Sequence, residues 1–194
     1  KESPVNTVKT TTIKKSRVKQ EDGPINVKIG TLNGKQRFST FVKGASNTLA
    51  AIAAERVAEK PGQTYNPLFV YGRTGLGKTH LLNAVGNTVL DHDEGARICS
   101  LSAEHFTNKV ISSIRSGKQT ELRDAFRFNC DVLLIDDIQF LAGKEGTQQE
   151  FFHTFNNLYD NNKQIVLTSD KPPHQLSGIQ ERLIGRFEWG FAVE

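Results

Sequence analysis

One stretch of twelve residues, 68–79, restricts the fold more than any other part of the chain. It opens with a short apolar run, Leu-Phe-Val-Tyr, which is typical of a buried parallel strand. The next eight residues, Gly-Arg-Thr-Gly-Leu-Gly-Lys-Thr, fit the pattern G-x-x-x-x-G-K-[ST] at each fixed position. Helical spacing then runs to Leu90, with Leu81, Leu82, Val85 and Val89 as the expected buried face. The stretch therefore predicts a strand, a glycine-rich loop and a helix, in that order.

The glycine-rich loop is predicted to bind phosphate. Its glycines permit a tight turn with inward N–H groups, and the N-terminus of the following helix favours an anion. Lys78 supplies positive charge for the terminal phosphates of a nucleotide, and the Thr79 hydroxyl is an oxygen ligand for Mg²⁺. A chance match in an ordinary turn is the alternative, and the flanking strand and helix argue against it. The predicted nucleotide-binding residues of this segment are Gly72, Thr74, Gly75, Leu76, Gly77, Lys78, Thr79 and His80.

A second acidic motif follows another apolar strand. Residues 132–135, Val-Leu-Leu-Ile, end at Asp136 and Asp137, which is the form of a Walker B motif. The first carboxylate would hold Mg²⁺, and the second would orient or deprotonate an attacking water. By itself, a strand that ends in a polar loop is common in α/β folds. Downstream of a phosphate-binding loop, in a chain of alternating strands and helices, the pair indicates nucleotide chemistry.

Strands and helices alternate along the chain, which predicts a three-layer α/β fold with a parallel five-stranded sheet. The strands are predicted at 68–71, 96–101, 132–135, 164–168 and 189–193. The helices are predicted at 46–59, 79–90, 103–114, 121–128, 147–160 and 179–187. Ser46 and Ser102 are expected to cap two of the helices.

Two of these helices have a predicted buried face. In the helix that follows Ser46, the residues expected to be buried are Leu49, Ile52, Ala53 and Val57. In the helix that follows Ser102, they are Phe106, Val110, Ile111 and Ile114.

Several residues outside the two motifs are further candidates for a site. Phe41 and Val42 belong to a small apolar cluster before Gly44, which could either sandwich an adenine or join the core. Asp170 follows a predicted strand, at the sheet edge where ligands bind in open α/β folds. Arg182 and Arg186 share one face of a short helix. His153 lies between aromatic residues, so a satisfied structural contact is expected for it rather than catalysis.

Composition adds limits on class and partners. A length of 194 residues suits one domain, and a net charge of +4 is compatible with nucleic acid without requiring it. Residues 1–35 are predicted to be a flexible basic leader before a domain at 36–194. The sequence shows no membrane-spanning run and no signal peptide, and Cys99 and Cys130 fit reduced thiols in a cytoplasmic protein. Because the chain has no methionine, we expect a fragment or a processed product.

Beyond these motifs, the chain resembles the AAA+ module of DnaA, the bacterial chromosome replication initiator family. The resemblance covers about residues 36–194 and is carried by the segments 66–87, 133–145, 150–155, 167–170 and 181–190. It implies ATP or ADP binding with Mg²⁺, assembly into homo-oligomers on origin DNA when ATP is bound, help in strand opening, and weak ATPase activity used as a switch. In the family, the full-length protein also binds double-stranded origin DNA and the helicase.

The resemblance also implies roles for single residues. Thr79 and Asp136 match the metal site, Asp137 the catalytic carboxylate, and Asp170 a nucleotide sensor. Arg182 and Arg186 match an interface pair, of which Arg186 would reach the ATP of a neighbouring subunit.

The segment 103–128 resembles a two-helix insertion that steers the filament and touches single-stranded DNA. Ile111 matches a DNA contact there, and Lys144 lies near Gly146, which occupies a position where the family can carry a basic residue. The family's helical lid and duplex-reading domain are expected to be missing.

Three other readings stay open. The chain could be an interaction module that binds nucleotide without productive hydrolysis, or a relative of helicase loaders and initiator regulators. A small-molecule kinase is the least favoured, because no acceptor pocket is visible in the sequence.

Overall fold

The computed structural model describes residues 30–194, in which five strands alternate with six α-helices. The strands are β1 (Leu68–Tyr71), β2 (Ile98–Ser102), β3 (Val132–Asp136), β4 (Gln164–Ser169) and β5 (Phe191–Val193). The helices are α1 (Thr48–Glu59), α2 (Lys78–His92), α3 (Ala103–Ser116), α4 (Gln119–Asn129), α5 (Glu145–Asp160) and α6 (Glu181–Phe187). Short 3₁₀ turns cover Phe38–Thr40, Ile138–Leu141 and Pro173–Gln175.

The five strands form one parallel sheet in the order β2-β3-β4-β1-β5, which confirms the predicted fold class. β4 lies between β1 and β3, with Tyr71 opposite Ser169 and Ile135 opposite Leu167. The carboxyl ends of β1, β3 and β4 are therefore neighbours at one edge of the sheet. Both sequence motifs open at that edge.

Successive residues of each strand pack into two separate cores, one on each face of the sheet. Because both faces are buried, the strands are continuously apolar. Phe69 and Leu133 pack with α3, α4, α5 and α6 on one face of the sheet. Leu68 and Leu134 pack with α1 and α2 on the other face. The result is the predicted three-layer arrangement.

The predicted buried face of α1 is wrong in part. Leu49 and Ile52 are 58% and 46% exposed, whereas Ala50, Ala51, Ala53, Ala54, Val57 and Ala58 are buried. Small alanine side chains let α1 lie close to the sheet and α2, so the larger residues are left at the surface. Ser46 is also not the cap: the N-cap position is Asn47, which makes no side-chain bond to the helix.

Helices α3 and α4 form the predicted two-helix segment after β2. The Ser102 hydroxyl accepts a hydrogen bond from the His105 N–H (3.1 Å), as expected for an N-cap. Phe106 and Phe126 are buried and pack together with ring centroids 5.6 Å apart. Ile111 and Ile114 are 40% and 49% exposed, so their predicted burial is wrong. They lie at the margin of a face that Phe106 and Val110 already fill.

The chain before the first turn is attached to α2. The Asn33 N–H donates to Asn83 Oδ1 (2.9 Å), and Asn87 Nδ2 donates to the Asn33 carbonyl (2.9 Å). Residues 30–35, predicted to be part of the flexible leader, therefore contact the domain. Residues 1–29, which make up the rest of that leader, lie outside the described residues.

Two expectations from composition can be compared with residues 30–194. Cys99 and Cys130 are free and buried, and burial raises the pKa of the Cys130 thiol. In this part of the chain, none of the helices combines the length and the apolar character needed to cross a bilayer.

Candidate nucleotide-binding site

The glycine-rich loop connects β1 to α2 at the carboxyl edge of the sheet. The Gly72 N–H donates to the carbonyl of Ser169, which anchors the loop to the end of β4 (3.1 Å). Gly77 has φ +92°, and a Cβ there would lie 2.7 Å from the Phe41 ring. Only glycine suits that position, where the backbone turns directly into the first residue of α2. The sequence thus builds a loop that ends at a helix N-terminus.

A cavity of about 360 Å³ lies against this loop. It is lined by Gln36, Thr74, Gly75, Gly77, Lys78, Thr79, His80 and Asp137. The structure therefore brings six residues of the predicted loop site together with one of the two predicted acidic residues. Lys78 Nζ donates to the carbonyls of Gly72 (2.7 Å) and Arg73 (3.1 Å), which holds its positive charge inside the loop.

Asp136 reaches the loop from the end of β3. Its Oδ2 accepts from the Thr79 hydroxyl (2.7 Å), and its Oδ1 accepts from the Thr168 hydroxyl. Within residues 30–194, no three His, Cys, Asp or Glu side chains form a metal site. The Thr79–Asp136 pair fits Mg²⁺, because Mg²⁺ keeps waters and takes phosphate oxygens beside one or two protein oxygens.

Asp137 has a left-handed backbone, with φ 57° and ψ 57°. Aspartate adopts this conformation more readily than most residues other than glycine, and contacts with its surroundings offset the remaining cost. Here the Asp137 N–H donates to Thr168 Oγ1 (2.9 Å), and its Oδ1 accepts from Gln139 Nε2 (3.1 Å). Asp137 thereby borders the loop cavity while Asp136 binds Thr79.

Sequence reasoning missed Thr168 and Gln139. Thr168 is fully buried, and its hydroxyl bridges the carboxylate of Asp136 and the backbone of Asp137. The only signal in the sequence was a hydroxyl residue near the end of an apolar strand. It could not be paired with the acidic motif before the adjacency of β3 and β4 was known.

A second cavity of about 280 Å³ lies beside the loop, and it is more apolar than the first. It is lined by Ser46, Asn47, Ala50, Val70, Tyr71, Leu76, Lys78, Leu81 and Glu194. Lys78 lines both cavities, so the two lie next to each other. The predicted loop residue Leu76 belongs to this second space.

The predicted pair Phe41 and Val42 is divided. Phe41 contacts Gly77 and lies edge-on to the His80 ring, with centroids 5.3 Å apart. It is partly buried against the core of α1 and α2, so it both borders the loop and joins the core. Val42 is 83% exposed and lines neither loop cavity.

The remaining candidates lie outside these two cavities. Asp170 follows β4 directly and is exposed. Arg182 and Arg186 lie on α6, where the Arg186 Nε donates to Asn156 of α5 (2.7 Å).

Ile111 is at the surface of α3, and Lys144 is the partly buried N-cap residue of α5. His153 is exposed and lies near the Phe152 ring, with no role at the loop.

These features define a class of protein. A parallel α/β sheet, a glycine-rich loop that enters a helix, and an acidic pair at the end of another strand on the same edge of the sheet together characterise a P-loop nucleotide-binding domain.

Comparison with known proteins narrows this class to one family. The model of the bacterial DnaA ATPase domain matches residues 32–194, and the chain belongs to that family. It is 55% identical over 166 residues to the chromosomal replication initiator protein DnaA of Citrifermentans bemidjiense. That match covers 86% of this chain and 36% of the relative, so the chain spans about a third of the relative's length. The resemblance to the DnaA family is confirmed.

Solved structures agree with this assignment. Domain III of DnaA from Thermotoga maritima is 47% identical with a TM-score of 0.82, over 85% of this chain and 69% of that one. A replication initiator DnaA bound to AMPPCP and single-stranded DNA is 44% identical with a TM-score of 0.81, over 85% of this chain and 51% of that one. The DnaC helicase loader, at 18% identity and a TM-score of 0.70, shares the fold alone.

Proposed function

We propose that this domain is the ATP-dependent switch of a DNA replication initiator. It binds ATP or ADP, self-assembles on origin DNA in the ATP form, promotes strand opening and hydrolyses ATP slowly. The observation that carries the proposal is the loop cavity, where Lys78, Thr79 and Asp137 face the same space and Asp136 is bound to Thr79. The relative that was solved with AMPPCP and single-stranded DNA supports both ligands.

The two adjacent cavities suit the two parts of a nucleotide. The phosphates occupy the polar cavity at the loop, where backbone N–H groups and Lys78 neutralise their charge. The base occupies the more apolar cavity beside it, where Leu76 and Val70 offer apolar contact. Phe41, which packs edge-on against His80, is proposed to contact the nucleotide from the side of the loop.

Lys78→Ala tests the nucleotide site directly. The backbone cradle survives the change, but the phosphate charge loses its partner, so we expect ATP binding to be abolished, a loss of about 100-fold or more. Titration with a fluorescent ATP analogue measures affinity, and circular dichroism checks the fold. Lys60→Ala is the matched control, because Lys60 is exposed at the end of α1 and away from both cavities. Unchanged affinity in Lys78→Ala contradicts the assignment of the loop.

Thr79 and Asp136 would hold Mg²⁺ through their oxygens. When bound, the ion neutralises charge on the phosphate oxygens. The Thr168 hydroxyl fixes the Asp136 carboxylate in place through its hydrogen bond. Chelation of Mg²⁺ in the fluorescent titration is therefore expected to weaken ATP binding, and equal affinity with and without the ion would contradict this role.

Asp137 orients or deprotonates the water that attacks the terminal phosphate. Its place at the loop cavity suits that role, and the Gln139 amide holds one of its carboxylate oxygens. This carboxylate favours slow hydrolysis over the alternative of an interaction module that only binds nucleotide. Single-turnover ATPase measurements on Asp137→Asn test it, and a rate equal to the wild type would contradict the role.

Arg186 acts on the nucleotide of a neighbouring copy, with Arg182 in the same interface. Arg186 lines neither cavity at its own loop and makes its contacts on the surface of α5 and α6. An arginine supplied in trans can stabilise a transferring phosphoryl group, and only ATP presents a γ-phosphate for it to sense. The exposed carboxylate of Asp170, beside the loop at the end of β4, would sense the state of the nucleotide.

Single-stranded DNA is bound weakly, through Ile111 and Lys144. Ile111 is 40% exposed on α3 and suits contact with the DNA sugar or base, while Lys144 offers one phosphate contact. With so few cations, we expect ATP to be needed for binding and affinity to fall steeply with salt in fluorescence anisotropy. Tight binding to a specific duplex would contradict the proposal.

Origin duplex binding and helicase contact are proposed for the longer initiator rather than for residues 30–194, and the cytoplasm is its proposed place of action. The helicase-loader alternative has no support beyond the shared fold.

A further inference from the structure

Three side chains surround the guanidinium of Arg186 on the surface formed by α5 and α6. We call Phe152, Asn156 and Trp189 the arginine cradle. Arg186 Nε donates to Asn156 Oδ1 at 2.7 Å. The guanidinium carbon lies 3.7 Å from the Trp189 ring centroid and 5.3 Å from that of Phe152. The group is therefore held by one directed hydrogen bond and two aromatic rings.

The cradle is itself supported from the core. Phe152, Asn156 and Tyr159 are spaced i, i+4 and i+7 along α5, so they share one face of that helix. Tyr159 packs against Trp189, with ring centroids 5.0 Å apart, and against the buried Phe155, with centroids 6.0 Å apart. Trp189 is 49% exposed and is steadied by this packing. The position of Arg186 thus depends on side chains anchored in the protein interior.

The two terminal amino groups of Arg186 have no hydrogen-bond partner among residues 30–194. Nε is already used, so the donors that remain are those that bind an oxyanion in a bidentate way. Arg182 differs from Arg186. Its Nε donates to Gln180 beside its own helix, and Phe152, at 4.5 Å, is its one aromatic contact in this part of the chain. Of the two, Arg186 has the larger set of contacts, because Trp189 covers its guanidinium as well.

We propose that Phe152, Asn156 and Trp189 are positioning residues, which hold Arg186 ready to receive the terminal phosphate of a nucleotide bound to a second copy of this chain. The inference rests on the proposed role of Arg186 in trans. A free arginine side chain has many rotamers and loses that freedom when it binds. The cradle restricts those rotamers before the two copies meet. Arg186 therefore loses less conformational entropy when it binds, and the association is stronger.

The orientation of Arg186 can be measured on the isolated chain, without any assembly. Side-chain Nε–H correlation spectra give one signal per ordered arginine, and Arg186→Lys identifies the signal of Arg186. We expect this proton to be shifted upfield by the Trp189 ring and to be slow in solvent exchange. Asn156→Ala should speed its exchange, and Trp189→Ala should remove the upfield shift. Asn157→Ala is the matched control, because it changes the neighbouring asparagine of α5, which lies outside the cradle. A signal like that of an exposed arginine in the wild type overturns the inference.

Self-association in ATP, measured by sedimentation, tests the purpose of the cradle. We expect Asn156→Ala and Trp189→Ala to weaken association about tenfold with ATP affinity unchanged, and Trp189→Phe, which keeps a ring, to restore most of it. A variant that weakens association should also change the Arg186 signal in the spectra. Weaker association with an unchanged Arg186 signal would make the role of these residues merely structural and overturn the proposal.

A wrong role for Arg186 in trans and a wrong role for the cradle give different results in these experiments. If wild type does not associate in ATP, or if Arg186→Ala associates as well as wild type, the role of Arg186 in trans is wrong, whatever the spectra show. If Arg186→Ala abolishes association but the cradle variants associate normally, the role in trans stands and the cradle is wrong.

Discussion

Asp131 shows how one residue can anchor the sheet away from the nucleotide site. It precedes β3, while Arg97 and Lys163 lie just before β2 and β4. Arg97 donates twice to Asp131 through its side chain, and Lys163 Nζ donates to the same carboxylate at 2.5 Å. The three side chains join the amino ends of three neighbouring strands. The hydrogen bond from Arg97, helped by Lys163, holds the pKa of Asp131 well below its usual range, against the opposing effect of burial.

We expect Asp131→Asn to lower the free energy of unfolding at pH 7 by about 1 to 3 kcal/mol, because it leaves two cations without their partner. The folded-state pKa is depressed, so the carboxylate contributes fully above its unfolded pKa of about 4. That contribution is lost as the pH falls through the folded-state pKa. In urea unfolding, the difference in free energy of unfolding between wild type and variant should therefore become smaller below about pH 4.

Asp124→Asn is the control for this measurement, because Asp124 is exposed and has no ion pair within residues 30–194. Asp124→Asn should change the free energy of unfolding little at pH 3 and at pH 7. An Asp131→Asn gap that is the same at pH 3 and pH 7 would contradict the assigned role.

At the scale of elements, two serines that look alike in the sequence behave differently. Both Ser46 and Ser102 precede a helix, yet only Ser102 accepts a hydrogen bond from the first turn. Before α1, the Asn47 side chain accepts from the Gly44 N–H at 2.8 Å instead, and the Thr48 hydroxyl donates to the Gly44 carbonyl at 2.6 Å. The turn before α1 is thus held by bonds within the loop, and Ser46 stays exposed.

Ser102→Ala should cost about 1 kcal/mol of stability, because it leaves an N–H of α3 without its acceptor. Ser46→Ala should change stability by less than about 0.5 kcal/mol, as expected for an exposed site without special contacts. Chemical denaturation of the two variants beside wild type measures the difference. Equal effects at the two sites would show that the cap of α3 contributes nothing specific.

At the scale of the whole molecule, the proposed catalytic groups do not form one complete set. Lys78, Thr79, Asp136 and Asp137 meet at the carboxyl edge of the sheet, whereas Arg186 lies on α6 and lines neither loop cavity. If the arginine acts on phosphate, a second copy of the chain must supply it. The nucleotide site of one copy and Arg186 of the next copy would then form one composite site at the interface between them. We call this composite site a joint.

A mixture of two variants tests this joint. Lys78→Ala has an intact Arg186, and Arg186→Ala has an intact loop, so a mixed pair contains one complete joint. We expect each variant alone to lose ATP-dependent association and the mixture to recover dimers, measured by light scattering after size exclusion. Recovery no greater than for either variant alone, with wild type assembling, would show that Arg186 does not act in trans.

Much of the site could be predicted because its chemistry is local. The glycine-rich loop, the helix that follows it and the acidic pair each depend on residues a few positions apart, whose backbone preferences are set by glycine, apolar runs and polar strand ends. The cap at Ser102 was predictable for the same reason. These short-range patterns are sufficient for the class of fold and for most residues of the loop cavity.

The contacts between residues far apart in the chain depend on the strand order and on how the helices pack. Thr168 meets Asp136 and Asp137 because β4 lies beside β3, although 31 positions separate Thr168 from Asp137 along the chain. The alanine face of α1 is buried because small side chains fit the narrow space beside α2, a fit that helical spacing alone cannot reveal. Asn156 reaches Arg186 across 30 positions because Phe187 of α6 packs against Phe151 and Phe155 of α5. Contacts of this kind depend on how whole elements pack, so only the tertiary structure determines them.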